Sequence, residues 1–281
     1  MAIPEGQDHQ LNGDFAGADD LLWAAQSGNL STFGQVNVER SGRLGPLIEM
    51  LMARRENPAL FAHVRFAAPF VSVVENALDC GLIEGSGYAA RQGAFPLTRF
   101  AETGDGSDQW ALWRSRAEQA AIAVGFAKPL AAAIIGAMGE LQDNVFRHSR
   151  RPETGLVAFA ATQAAFEIVV ADAGVGVLAS LRESPDYSDV VDAGAALRVA
   201  VEDGQSRFGR ASGAGFGMGQ MFRALANHDG ELRFRSGDHA LTVRGHSPSL
   251  QGSVELSHKA RLGGLTISVR CLASNGAALR P

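Results

Sequence analysis

The chain has 281 residues, of which 46% are hydrophobic, and its formal net charge is −5 at pH 7. This apolar content supports a sizeable core and excludes a chain that is disordered throughout. The net negative charge argues against a protein that coats nucleic acid or an anionic membrane through bulk charge. Cys80 and Cys271 have neither metal-ligand spacing nor the pattern of a disulfide framework, so we expect two buried free thiols in a cytoplasmic protein.

Residues 1–19 are polar and acidic, and we expect them to form a flexible lead. They have neither the basic start nor the apolar segment of a signal peptide. No apolar run elsewhere reaches the roughly 18 residues that a membrane-spanning helix needs. We therefore expect no membrane association.

The region 20–104 predicts a small α/β domain. Leu44–Asn57 has apolar residues at helical spacing, Ala62–Ala68 alternates like a strand, and Val71–Glu84 predicts a second helix that ends at Gly81. The stretch Glu102–Trp110 is rich in Gly, Asp and Ser, and this composition predicts the domain boundary.

The region 111–281 predicts a second and larger α/β domain. We expect two helices at 111–124 and 129–149, followed by two paired strands at 155–162 and 165–173. Two further helices are expected at 191–201 and about 217–226, and two closing strands at 230–245 and 263–273. No internal repeat is visible.

A stripe of polar residues interrupts the second of these helices. Glu140, Asn144 and His148 recur every four residues, and such positions drift by only about 40° around an α-helix. The stripe lies beside an apolar arc, so we expect it along the edge of the buried face, where a pocket between helix and sheet would lie. A solvated polar face is the alternative interpretation.

A short glycine-containing segment follows the apolar strand at 165–173. Asp172 closes the strand, and Gly174 and Gly176 follow at alternate positions. Glycine allows close approach of a ligand to the backbone, and a carboxylate at the end of a strand can accept a hydrogen bond from the exocyclic amine of adenine. A tight turn capped by Asp is the alternative.

A glycine run stands just before the predicted helix at 217–226. Successive N–H groups ahead of a helix N-terminus make an anion cradle. The run has neither the spacing of the dinucleotide fingerprint nor the Lys-Ser/Thr pair of a P-loop. Its glycines alternate at Gly213, Gly215, Gly217 and Gly219.

In order and content, the three segments resemble the N box and the two glycine boxes of the GHKL ATPase superfamily, which includes gyrase-type ATPases and the catalytic domain of histidine kinases. The resemblance covers about Ala111 to Ala273. It implies a Bergerat-type ATP-binding fold, a two-layer α/β sandwich of helices on a mixed sheet, preceded by the smaller α/β domain. It also implies that residues 178–212 form the ATP lid, which we expect to be a long loop.

The resemblance implies roles for individual residues. Asn144 would bind Mg²⁺, and Glu140 would be the catalytic residue that orients or deprotonates the attacking group. Asp172 would bind the adenine amine. The other nucleotide-binding positions would be Arg147, His148, Gly174, Gly176, Gly213, Gly215, Phe216, Gly217, Met218 and Thr266, the last in a closing Gly-Thr strand that Leu265 interrupts here.

The implied function is that of an Mg-ATP-binding protein, acting as a soluble ATPase or a serine/threonine protein kinase in signalling or transcription regulation. No histidine stands beside an acidic residue in a dimerising helix, which disfavours an autophosphorylating histidine kinase. The Glu-x3-Asn-x3-His pattern is instead similar to anti-sigma-factor serine kinases, which implies a protein partner that is a regulator or phosphoacceptor. The sequence leaves open whether the protein forms a homodimer.

Two other interpretations stand beside this one. The first is a non-catalytic, ATP-gated protein-interaction switch, in which nucleotide orders the lid and a partner docks. The second is a degenerate fold that no longer binds nucleotide. The αβα pattern of 20–104 weakly resembles the STAS-like fold of anti-sigma-factor antagonists, and an unrelated α/β cap fits it equally well.

Overall fold

A computed structural model describes residues 8–39, 42–67, 70–87, 89–102, 106–163, 165–201, 230–244 and 254–273. Within these ranges the chain is a mixed α/β protein with one parallel and one antiparallel sheet. The strands are β1 (His9–Leu11), β2 (Val36–Val38), β3 (Val64–Phe66), β4 (Gln92–Pro96), β5 (Leu156–Thr162), β6 (Ala165–Asp172), β7 (Glu231–Arg244) and β8 (Val254–Leu272). The helices are α1 (Phe15–Gln26), α2 (Leu44–Glu56), α3 (Val71–Cys80), α4 (Arg99–Glu102), α5 (Gly106–Ala123), α6 (Lys128–His148), α7 (Gly176–Leu181) and α8 (Ala193–Val201).

The larger sheet has five strands in the order β4-β5-β6-β8-β7, and each pairing between them is antiparallel. All eight residues of β6 are buried, and so are the first six of β5. Such continuous burial is typical of a sheet that is covered on both faces, where strands read as apolar runs rather than as alternating patterns. The apolar runs at 156–162 and 165–172 therefore reflect two covering layers.

The first layer is formed by α5 and α6. Trp113 of α5 and Met138 of α6 pack with Phe159, Ile168 and Ile267 of the sheet in one core cluster. Helix α6 begins with a proline in its first turn, a position where the missing N–H costs nothing. Its last turn contains His148 and Arg147, and the positive charge of Arg147 suits the helix C-terminus.

The second layer is formed by α1, α2 and α3. These helices share a core cluster with the three short strands β1–β3 and with the other face of the larger sheet. Helix α2 is buried over ten consecutive residues, from Leu44 to Ala53. Because α2 is so enclosed, its one internal carboxylate, Glu49, requires charged partners inside the protein.

Two polar clusters attach this second layer to the sheet. Glu49 and Asp19 form ion pairs with Arg233 and Arg235 of β7, and all four residues are buried. The carboxylate of Glu167 on β6 accepts hydrogen bonds from the first two N–H groups of α2, each at 2.9 Å. A carboxylate at a helix N-terminus is stabilising, so Glu167 holds α2 against the sheet.

The architecture differs in two ways from the sequence prediction. Strand β4 lies before the predicted boundary at 102–110 but pairs with β5, so the larger sheet contains residues from both predicted domains. Helices cover both faces of that sheet, and its described pairings are antiparallel rather than mixed. The parallel order β1-β2-β3 is an α/β arrangement, and its likeness to a STAS fold stays a prediction. In the described parts of the chain, no helix combines the length and apolarity needed to cross a bilayer.

Candidate functional site

Asp172 is a buried carboxylate at the end of β6. Its side chain lies on the α6 side of the sheet, and the residue is 2% exposed. Its Oδ1 accepts a hydrogen bond from Ser149 Oγ at 2.8 Å and another from Gly174 N at 2.7 Å. Among the described residues, no hydrogen bond ends on Oδ2. One oxygen is therefore held in place by the protein, while the other is suited to a ligand donor.

The protonation of Asp172 is sensitive to this environment. Burial raises the pKa of the carboxyl from 3.8 to about 6, and the hydrogen bonds from Gly174 and Ser149 oppose the rise. The group is therefore mostly ionised at neutral pH, when Oδ2 can only accept a hydrogen bond. Below about pH 6 it would become a donor as well.

The loop after Asp172 requires glycine at two positions. A Cβ on Gly174 would lie 2.1 Å from the main-chain oxygen of Ser149, so no side chain fits there. Gly176 has φ +77°, in the left-handed region, and a Cβ there would lie 2.8 Å from Ser236 Oγ. Ser236 Oγ also accepts a hydrogen bond from Val177 N at 3.0 Å. The loop is thus packed closely between α6 and β7.

A connector between α6 and β5 holds this loop from the other side. The main-chain oxygen of Ser149 accepts a hydrogen bond from Val175 N at 2.9 Å. Ala173 N donates to Thr154 Oγ1 at 2.9 Å, and Arg151 donates to the oxygen of Ala173. Sequence reasoning missed these three connector residues. The one hint in the sequence is the hydroxyl of Ser149 directly after the polar stripe. The sequence does not indicate the partners, because they are distant along the chain.

The predicted polar stripe lies where the helical spacing puts it. Asn144 and His148 are half-buried, and Glu140 and Arg147 are exposed. His148 Nδ1 lies 3.1 Å from Ser180 Oγ, which belongs to α7. The edge of α6 that carries the stripe therefore faces the segment that follows the Asp172 loop.

The contact between Ser149 and Asp172 fixes where the stripe stands relative to the carboxylate. Ser149 caps the C-terminus of α6, so Asn144 lies about 7.5 Å and Glu140 about 13.5 Å further back along the helix axis. Asp172 at one end and Glu140 at the other thus span the scale of an extended nucleotide. Asn144 offers an amide oxygen between them, which suits Mg²⁺ because that ion takes few protein ligands and keeps phosphate oxygens and water.

The structure places Thr266 away from the other predicted site residues. In the β6–β8 register Thr266 pairs with Ala171, and Leu265 pairs with Asp172. Ala171 belongs to the core on the α2 side, whereas Leu265 packs on the α6 side with Asp172. Successive strand residues point to opposite faces, so the extra residue Leu265 turns Thr266 away. Thr266 thus lies on the opposite face of the sheet from Asp172, and its contact with a nucleotide stays a prediction.

The predicted lid is only partly a loop. Residues 178–201 contain most of α7, a 3-10 turn at Pro185–Tyr187 and α8. Leu181, Tyr187, Val190 and Ala196 pack together in a small apolar cluster. The helix predicted at 191–201 is confirmed by α8, whereas the sequence did not predict α7 or the 3-10 turn, whose apolar residues pack in this cluster. The role of the stretch as a lid stays a prediction. Residues 202–212 and the predicted phosphate-binding residues Gly213, Gly215, Phe216, Gly217 and Met218 lie outside the described residues.

Comparison with known proteins gives no family for this chain. No family model matches it, no curated protein matches it, and no solved structure matches it. Within the described residues, no group of three or more His, Cys, Asp or Glu side chains is placed to hold a metal ion. A function must therefore be argued from the site itself.

Proposed function

We propose that the chain binds Mg·ATP at the corner where β6, α6 and α7 meet, as a GHKL-type protein. The observation that carries the proposal is the buried carboxylate of Asp172, whose Oδ1 is occupied by two protein donors. An exocyclic amine of adenine supplies the donor that Oδ2 can accept. Glycine at 174 and 176 lets the loop backbone pack against Ser149 and Ser236, which holds the loop beside the carboxylate.

The stripe on α6 supports the second half of the proposal. Asn144 would hold magnesium, which supplies charge neutralisation at the phosphates when it is bound. Glu140 is exposed, so its carboxylate is free to meet an attacking hydroxyl or water and to orient it. These roles suit an ATPase or a serine/threonine protein kinase that acts on a partner protein in signalling or transcription regulation.

A non-catalytic ATP-gated switch is the second candidate, and one contact favours it. Arg150, directly after α6, makes two hydrogen bonds to Glu183, at 2.9 and 2.8 Å, just beyond α7. Together with the contact between His148 and Ser180, this ion pair joins the helix of the stripe to the segment 178–201. Nucleotide binding at α6 would thereby affect the segment 178–201, and a partner protein could dock on the surface of that segment.

The test of binding is a calorimetric titration of the full chain with Mg·ATP. We expect saturable binding, and we expect Asp172→Asn to weaken it at least tenfold because the new amide N–H₂ meets the adenine amine. Asp20→Asn, which removes an exposed carboxylate from α1, is the matched control and should leave the affinity unchanged. Wild-type protein that does not bind Mg·ATP, or equal affinity in Asp172→Asn, would refute the proposal.

Turnover separates the two candidate functions. Phosphate release from labelled Mg·ATP is compared between the wild type and Glu140→Ala. Release that falls to background in the variant supports catalysis. Tight binding without release in either protein supports the switch, since a pure binder needs no carboxylate at position 140.

A further inference from the structure

Ser149 joins the end of α6 to the Asp172 loop through both its side chain and its main chain. Its Oγ donates to Asp172 Oδ1 at 2.8 Å and accepts from Arg151 N at 3.2 Å. Its main-chain oxygen accepts from Val175 N at 2.9 Å. The residue is 4% exposed, and the backbone of Gly174 lies directly against it. Ser149 is therefore enclosed and fully engaged.

These contacts determine which carboxylate oxygen meets a ligand. Ser149 Oγ–H and Gly174 N–H both donate to Oδ1, so Oδ1 has no ordinary capacity left for a donor on a base. Oδ2 is then the ligand-facing oxygen, and when the carboxylate is ionised it rejects an acceptor such as a carbonyl. The same serine caps α6, so it also fixes the distance from this oxygen to Asn144.

We propose that Ser149 is a positioning residue that makes the site select a 6-aminopurine nucleotide over a 6-oxopurine nucleotide. The inference rests on the proposed function and deepens it. Ser149 acts through Asp172 rather than by touching the nucleotide: it orients the carboxylate and keeps Oδ2 an acceptor. Without the hydroxyl, the carboxylate loses a donor, rotates more freely and takes up a proton more readily, and a protonated Oδ2 can donate to a 6-oxo group.

Two arginines near this corner are engaged with other groups rather than with Asp172. Arg150 pairs with Glu183, and Arg151 donates to the oxygen of Ala173. On the opposite face of the sheet, the guanidinium groups of β7 are held by carboxylates of α1 and α2. The elements that pack here also carry the titratable His148 on α6, which contacts Ser180, and the exposed Arg147. Within the described ranges, Ser149 is thus the side chain that hydrogen-bonds to Asp172.

The test compares affinities for Mg·ATP and Mg·ITP, which differ at the 6-position of the base, by calorimetry at pH 7.5. We expect the wild type to prefer ATP, and we expect Ser149→Ala to lower the ATP:ITP affinity ratio about tenfold, as for one hydrogen bond to a charged group. Ser149→Cys, a weaker donor of similar size, should lower it less, and Ser149→Thr should retain it. Ser268→Ala is the matched control, because Ser268 Oγ also bonds to a buried carboxylate of β6, Glu167, at 3.1 Å on the other face.

A second measurement needs no nucleotide. Carbon-detected NMR titration of the side-chain carboxyl should show a higher Asp172 pKa in Ser149→Ala than in the wild type, in Ser149→Thr and in Ser268→Ala. An unchanged pKa, or an unchanged ATP:ITP ratio in protein that binds ATP, overturns the role of Ser149 and leaves the proposed function standing. Wild-type protein that binds neither nucleotide overturns the proposed function, and the selectivity falls with it.

Discussion

Asp172→Asn tests whether the carboxylate at the end of β6 is kept at a cost to stability. Its pKa is about 6 in the folded protein and ordinarily 3.8, so the folded state holds the proton more tightly than the unfolded state does. That difference in pKa corresponds to about 3 kcal/mol of lost folding stability at a pH where the carboxyl is ionised in both the folded and the unfolded protein. The cost is complete above about pH 7 and is removed as the pH falls through 6 toward 4.

The asparagine removes the charge but introduces a different cost. Its Oδ1 can still accept from Ser149 and Gly174, while the amide N–H₂ takes the position of Oδ2 without a described acceptor. An unsatisfied buried donor costs about 1–2 kcal/mol. We therefore expect the nucleotide-free variant to be about 1–2 kcal/mol more stable than the wild type at pH 7.5. At pH 5, where the wild-type carboxyl is largely protonated, the difference should shrink to near zero.

Urea denaturation followed by circular dichroism, with linear extrapolation to water, measures this difference at both pH values. Asp20→Asn provides the control, since an exposed carboxylate should show no such pH dependence. An Asp172→Asn protein that is less stable than the wild type at pH 7.5 would refute the argument. So would a stability difference that does not change between pH 5 and pH 7.5. Higher stability combined with lost ATP affinity is the result expected of a carboxylate retained for binding.

Three further changes probe other parts of the structure. Glu49→Gln should cost about 3–5 kcal/mol in urea denaturation, because it leaves two buried guanidinium groups to share the single carboxylate of Asp19. Glu75→Gln, in a partly exposed ion pair, should cost less than about 1 kcal/mol. Gly176→Ala should cost about 1–3 kcal/mol and weaken Mg·ATP binding in calorimetry, because alanine is strained at φ +77°. A thiol reagent should label Cys80 in the native protein, because Cys80 is exposed and not buried as the sequence predicts. Cys271 should react only after unfolding, because burial raises its pKa to about 12; equal native rates would contradict the burial.

The buried ion cluster explains why the N-terminal helices should not be regarded as a detachable unit. Arg233 and Arg235 come from the larger sheet, whereas their carboxylate partners come from α1 and α2. Separating the two layers would expose apolar surface and leave charges unpaired on both sides. We expect the second layer to be needed for the larger sheet to fold.

Much of the local structure follows from the sequence alone. Helical spacing predicts α2, α3, α5 and α6 and places Glu140, Asn144 and His148 at the edge of a buried face, because that pattern depends only on the turn of one helix. The apolar runs predict β5 and β6, and the Asp-x-Gly-x-Gly segment predicts a turn with a carboxylate at its start. These features involve neighbours within one element or one turn.

Other features depend on which elements meet in three dimensions. A single residue, Leu265, decides the face on which Thr266 lies, because strand side chains alternate and the register is set by pairing with β6. The hydroxyl that holds Asp172 comes from Ser149, 23 residues earlier, and no spacing rule links two such positions. The covering of the second face by α1–α3 likewise depends on ion pairs between residues about 200 positions apart, such as Arg233 with Glu49 and with Asp19. The sequence by itself thus determines α2, α3, α5, α6, β5 and β6, but it predicts a flexible lead at residues 1–19, where the structure has β1 and the start of α1. Contacts between distant segments decide these elements and which side chains lie together.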